Sequence, residues 1–221
     1  MTIALLTLVL LLSIFAVMLL LFEKSRLDEK VIAVTATLGA IAAVARIPFS
    51  IIPNVQPTTF LVMLSGYVFG KRVGFLVGVI AAVLSNVYLG QGPWTIWQMF
   101  AWGLSGVTGG LLGRFLENKQ KRAAGQLFST NVQWLGFAIA CGAWGFLFGW
   151  IMNLWTYLSL GSFMSGKSFL ALYAASVPFD LAHSVGNLMF AAFFSTAFAR
   201  ILVRYHQKLT ISRLPIEEAR G

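Results

Sequence analysis

Charge is what this sequence has least of. Only 10% of its 221 residues are Asp, Glu, Lys or Arg, whereas 58% are apolar and the mean hydropathy is +0.83. No soluble core absorbs so many apolar positions, which excludes the soluble globular classes and makes lipid the solvent for most of the chain. Cysteine is nearly missing as well. Cys141 alone rules out an internal disulfide framework or a thiolate metal cluster, and within its apolar run it reads as a small packing residue. With two histidines, one of them (His206) in a basic tail, a transition-metal site built from protein ligands is not expected, and no other cofactor is implied. The chain also has no Gly-x-x-x-x-Gly-Lys-Ser/Thr phosphate loop, so any ATP hydrolysis belongs to a partner.

Acidic residues are few beside basic ones, 7 against 16, for a net charge of +9. In a soluble protein that excess would suggest nucleic acid; here it follows membrane topology instead. Apolar stretches close to the roughly 20 residues that cross a bilayer lie near 3–22, 31–45, 58–70, 73–89, 94–113, 132–156 and 176–203. The third is short. Alternating sides between spans places Lys24, Arg26, Lys30, Lys71, Arg72, Arg114, Lys119, Lys121, Arg122, Arg200, Arg204, Lys208, Arg213 and Arg220 together. Only Arg46 and Lys167 fall opposite. The positive-inside rule then predicts an outside N-terminus, a cytoplasmic C-terminus and no nucleic-acid partner.

The predicted fold is an all-α, polytopic membrane helix bundle. Residues 1–30 read as an extra N-terminal transmembrane helix with a basic linker. Its apolar part, Ile3 to Phe22, has no preceding basic residues and no small-residue cleavage site, so it reads as an uncleaved helix. Residues 31–205 form a six-helix membrane domain, and 206–221 a cytoplasmic tail. Small residues at helical spacing, such as Gly66 and Gly70, Gly74 and Gly78, Gly106 and Gly110, and Gly145 and Gly149, suit the close backbone approach on which helix association in lipid depends.

Polar residues that lipid would exclude gather toward the predicted outer face. The first outer connection, from Arg46 to Thr59, is broken by Pro48, Pro53 and Pro57 and offers Asn54, Gln56, Thr58 and Thr59. The second, from Leu89, carries Gln91 and runs into a helix presenting Trp94, Trp97 and Gln98. The third, Gly161 to Ser168, is rich in Gly and Ser and reads as a loop able to act as a lid. Asn153 and Trp155 end one span. Asp180, His183 and Asn187 begin the last on one helical face, with Pro178 placed in its first turn. Ionisable groups at that depth mark a site or pair internally, the alternative here being an Asp180–Arg46 ion pair. Aromatic walls and neutral amides suit a bulky heterocyclic solute, although tryptophans at such depth also serve as interfacial anchors.

Three stretches carry a family resemblance: R-I-P…N-V-Q-P-T-T-F-L-V-M-L-S-G-Y-V-F-G-K-R-V-G-F-L-V-G from Arg46, G-Q-G-P-W-T-I-W-Q-M-F-A-W-G after Leu89, and P-F-D-L-A-H-S-V-G-N from Pro178. Together they resemble the substrate-binding (S) components of bacterial energy-coupling-factor (ECF) vitamin transporters over residues 31–205. The resemblance implies a six-helix bundle in the cell membrane that captures a vitamin from outside. It also implies delivery through a transmembrane coupling protein driven by two cytoplasmic ATPases. Ala33, Ala36, Ala40 and Ala43 match the small-residue surface that docks on the coupling protein, helix packing being the alternative. The second connection looks most like members associated with cobalamin or other corrinoids, with riboflavin-like and other heterocyclic vitamins as alternatives. The extra first helix departs from the family pattern.

Two rival readings come from other classes. Gly103 to Gly106, containing Ser105, and Ala182 to Gly186, containing His183, match short motifs of rhomboid intramembrane serine proteases, in which a serine and a histidine must come within hydrogen-bond reach. Counting down from Trp94 and Pro178 places the two at depths differing by about 9 Å, against that pairing. The other rival is a non-catalytic membrane scaffold with its polar residues satisfied internally, which leaves the outer concentration of Trp, Gln, Asn and Asp unexplained.

Overall fold

The computed structural model describes residues 5, 9, 12, 13, 16, 29–117 and 127–211. Most of the expected first span, Ile3 to Phe22, and the linker to Asp28 lie outside the described residues, as does the end of the tail. From residue 29 on, the described residues form six α-helices in chain order: α1 (Glu29–Arg46), α2 (Thr58–Phe69), α3 (Lys71–Leu89), α4 (Trp94–Leu116), α5 (Asn131–Ser159) and α6 (Gly166–Ile211). Short 3₁₀ turns at Ile47–Phe49 and Gly161–Phe163 complete the regular structure among the described residues. The all-α bundle predicted from hydropathy is therefore what forms. Among the described residues, four segments are long and apolar enough to cross a membrane: Glu29–Phe49, Lys71–Leu89, Asn131–Ser159 and Gly166–Lys208.

Helix α2 explains the short third span. Its 12 residues extend only ~18 Å at 1.5 Å per residue, well under a ~30 Å hydrocarbon core. It is the buried centre of the bundle, packed on α1, α3, α4, α5 and α6, and its residues Thr58 to Phe60 and Val62 to Val68 are all buried. The connection before it therefore descends into protein. Irregular backbone at membrane depth is tolerated there because Pro57, Thr58 and Thr59 are enclosed by side chains and not by lipid.

Close backbone approach joins α2, α3 and α4. A methyl group on Gly106 would collide with the backbone of Gly74, and one on Gly66 with the carbonyl of Gly106. The turn from α2 to α3 needs Gly70 for its φ of 94°, a left-handed value that a Cβ disfavours. Helix α5 begins with a full capping box: Thr130 Oγ1 accepts from Gln133 N, and Gln133 Oε1 accepts from Thr130 N.

The last helix departs from the sequence expectation. It starts at Gly166 and runs for 46 residues, so Pro178 lies inside it and not in its first turn. The supposed lid is correspondingly reduced, because Ser165 caps the helix: Ser165 Oγ accepts from Ser168 N, and Ser168 Oγ accepts from Ser165 N. Phe169 and Tyr173 stack at 4.4 Å, Tyr157 meets Phe169 edge-on, and Tyr173 Oη donates to Trp150 O, tying this early part to α5.

Candidate functional site

Arg46, the last residue of α1, organises one end of the bundle. Its Nε donates to Gln56 Oε1 and its Nη1 to Ser85 Oγ and Asn86 Oδ1, each at 2.8 Å. The guanidinium also lies 4.9 Å from the centroid of a Trp102 ring. Asn86 passes the network on, its Nδ2 donating to Thr95 Oγ1 at 2.9 Å and Gln98 Oε1 at 2.6 Å. Thr95 Oγ1 in turn donates to Gln91 Oε1. Hydrogen bonds of this kind are needed at membrane depth, where an unmet polar group has no water to turn to.

Trp102 links this network to α2 and α6. Its Nε1 donates to Thr59 Oγ1 at 3.1 Å, and Thr59 Oγ1 lies 3.0 Å from His183 Nε2. Phe148 of α5 packs against both, 4.8 Å from Trp102 and edge-on to His183 at 5.2 Å. Beside this lies a second group, in which Asn153 Nδ2 donates to Ser176 Oγ at 2.6 Å and Ser176 Oγ to Asp180 Oδ2 at 2.8 Å. The Asp180 carboxylate sits directly against Gly149, and any Cβ there would displace it.

Most residues singled out from the sequence meet at this end, though in partnerships the sequence did not disclose. Arg46 and Asp180 do not form the ion pair considered above: Arg46 is met by neutral oxygens and an indole face, and Asp180 by Ser176. Trp97 is buried, with its ring 6.1 Å from that of the half-buried Trp155. Trp94 and Gln91 are exposed at the rim, Gln91 Nε2 donating to Val83 O. Asn54, with a left-handed φ of 60°, is exposed, and its Nδ2 donates to Phe179 O at 3.3 Å. Asn187 is fully buried, and neither its Nδ2 nor its Oδ1 has a hydrogen-bond partner.

Ser85, Asn86, Thr95, Trp102 and Ser176 were missed. Their signal was present for the first two: a Ser-Asn pair inside the apolar run of α3 is as anomalous in lipid as an ionisable group. Of the four alanines matched to a docking surface, Ala33 and Ala36 are exposed and Ala40 half-buried. Ala43, at 3% exposure, points into the bundle and is closed to a partner. The face open for contact on α1 is Ala33, Ala36, Thr37, Ala40 and Val44. For the protease reading, Ser105 Oγ donates to Trp102 O while His183 Nε2 meets Thr59, so nucleophile and base are engaged elsewhere.

The described residues thus form an all-helical bundle, with four helical segments long and apolar enough to cross a membrane, whose helices converge a polar network on one end. The family model "ECF transporter, substrate-specific component" matches residues 30–196, and the chain belongs to that family. Membership makes it a substrate-binding subunit of a transporter, working with an ECF module of coupling protein and ATPases on a small-molecule substrate. No curated protein and no solved structure matches the chain.

Proposed function

We propose that the chain captures a vitamin from outside the cell at the Arg46 end and hands it to the ECF module for ATP-driven uptake. Support for this orientation comes from the positive-inside rule, fourteen basic residues being expected on the side opposite that end against Arg46 and Lys167. The observation that carries the reading is the convergence of Arg46, Gln56, Asn86, Gln98, Thr59 and His183 from five helices and one connection, packed against Trp102 and Phe148, with the Trp97–Trp155 ring pair on the same helices α4 and α5. Rings supply contact area and amides set orientation, the chemistry of a heterocyclic solute with several hydrogen-bonding groups. Within the family resemblance, the aromatic and amide-rich stretch from Leu89 to Gln98 favours cobalamin or another corrinoid over riboflavin-like and other heterocyclic vitamins.

The test is mass spectrometry of ligand retained through purification, followed by thermal melting of the protein with added cobalamin, riboflavin and other vitamins. One compound should raise the melting midpoint, and Trp97→Ala and Asp180→Ala should abolish that shift. Unchanged affinity in both variants, with folding intact, would remove these residues from the site. Labelling of Ser105 by a fluorophosphonate would favour the protease, and neither ligand nor label would leave the scaffold.

A further inference from the structure

The opposite end of the bundle holds a cleft of about 310 Å³ lined by Gly70, Lys71, Gly110, Gly113, Arg114 and Glu117. Its two sides are oppositely charged. One side is the N-terminus of the 19-residue helix α3, where Lys71 and Arg114 add formal positive charge to the partial charge of the first amides. Gly110 lets the backbone of α4 come close to the start of α3, since a Cβ there would collide with Lys71 N. Such a corner suits a phosphate, held by amides and by the guanidinium fork.

The other side is acidic. Glu117 leaves the helical region at ψ 133° and ends α4, and its side chain is 8% exposed. Oε1 accepts from Tyr67 Oη at 2.5 Å and from Phe128 N at 3.2 Å. Oε2 is enclosed and has no hydrogen-bond partner. A buried carboxylate oxygen without a donor is costly, and it marks a place where a donor belongs. A purely anionic guest satisfies Lys71 and Arg114 but is repelled by Glu117, whereas a guest carrying both a phosphate and an ammonium satisfies all three.

We infer that this cleft binds the headgroup of phosphatidylethanolamine, the phosphate at Lys71, Arg114 and the α3 amides and the primary ammonium at Glu117. Lys71, Arg72 and Arg114 flank the ends of apolar helices, the level at which lipid headgroups lie, and clefts of this kind between transmembrane helices take headgroups. Phosphatidylcholine matches the phosphate but has a quaternary nitrogen with no N–H to donate, and phosphatidylglycerol has no cation. The site is distinct from the Arg46 network, so it stands whichever solute that network binds.

Native mass spectrometry of the full chain, released from micelles doped with equal amounts of the three lipids, tests this. One saturable phosphatidylethanolamine adduct should persist, about 10-fold over either competitor. Glu117→Gln keeps an Oε1 acceptor for Tyr67 and Phe128 while removing the charge, and should bring the three lipids within about 2-fold of one another. Arg114→Gln should lower the phosphatidylethanolamine adduct about 5-fold; Lys71→Gln should do the same and decides the matter if Glu117→Gln does not fold. Equal retention by the wild type, a preference for phosphatidylglycerol, or an unaltered preference in the variants would overturn the inference. Displacement by equimolar O-phosphoethanolamine would make a soluble metabolite the ligand and overturn the lipid assignment.

Discussion

Asn187 is an amide with both hydrogen-bonding atoms buried and unengaged, one turn below His183 on the inward stripe of α6. An unsatisfied buried amide costs about 1–3 kcal/mol, which a folded protein tolerates where the group has another use. Replacement by Leu, which has the same branching without the polar atoms, separates the two roles. Asn187→Leu is expected to stabilise the ligand-free protein by about 1–3 kcal/mol. It should also weaken the vitamin that shifts the wild type by about 10-fold or more, equivalent to about 1.4 kcal/mol. Paired thermal melts with and without that vitamin read both effects, and equal affinity in the variant would make Asn187 a packing residue. Arg46 poses the converse case. Its partners Gln56, Ser85 and Asn86 all lose a charged donor in Arg46→Met, so both stability and binding should fall, whereas Arg46→Lys keeps the charge but not the fork that reaches three oxygens.

At the scale of elements, the glycines of α2, α3 and α4 do the work that apolar burial does in water. Gly106→Val would push a branched side chain into the Gly74 backbone, and backbone has no rotamer by which to yield. A loss of about 3 kcal/mol or more is expected, seen as aggregation or a lowered melting midpoint in detergent. Gly166→Ala is the control: it sits in the first turn of α6 with nothing within 4 Å of its would-be Cβ, and should be neutral or stabilising by up to about 1 kcal/mol. Helix existence was legible in the sequence because hydropathy over a bilayer thickness is a strong signal, and the starts at Thr58, Trp94 and Asn131 fall within a residue of expectation. The start of α6 was not. Pro178 looked like a first-turn proline, while the Ser165–Ser168 cap that begins the helix earlier is a weaker signal of two residues in a Gly and Ser-rich stretch. The clustering of the candidate residues was legible in part for a similar reason: residue types and depth predicted that Arg46, Gln98 and His183 would gather, as they do, but pairing is set by helix rotation. That is why Arg46 found Ser85 and Asn86 and not Asp180.

For the whole molecule, the proposed ligand capture and the proposed coupling would occupy different surfaces. The polar network lies inside one end of the bundle, while Ala33, Ala36 and Ala40 lie along the outside of α1, where an apolar groove of about 340 Å³ runs between Thr37, Ile41, Phe69 and Tyr205. Small residues on a lipid-facing helix let a partner backbone come close, and large ones hold it away. Ala36→Trp is therefore expected to leave the vitamin-induced melting shift intact while reducing co-purification with the coupling protein about 10-fold or more. Ala43→Trp, only seven residues further on, should instead fail to fold, because Ala43 is enclosed by the bundle. If Ala36→Trp retained full association, the coupling protein would have to dock elsewhere. The first span, Ile3 to Phe22, would then become the natural cover for α1, since it precedes that helix by a short charged linker and has small residues of its own at Ser13 and Ala16. Deleting residues 1–22 separates these cases: with docking on α1 the truncated chain still associates and imports, whereas with α1 covered by the first span the truncation exposes a greasy face and the protein should self-associate.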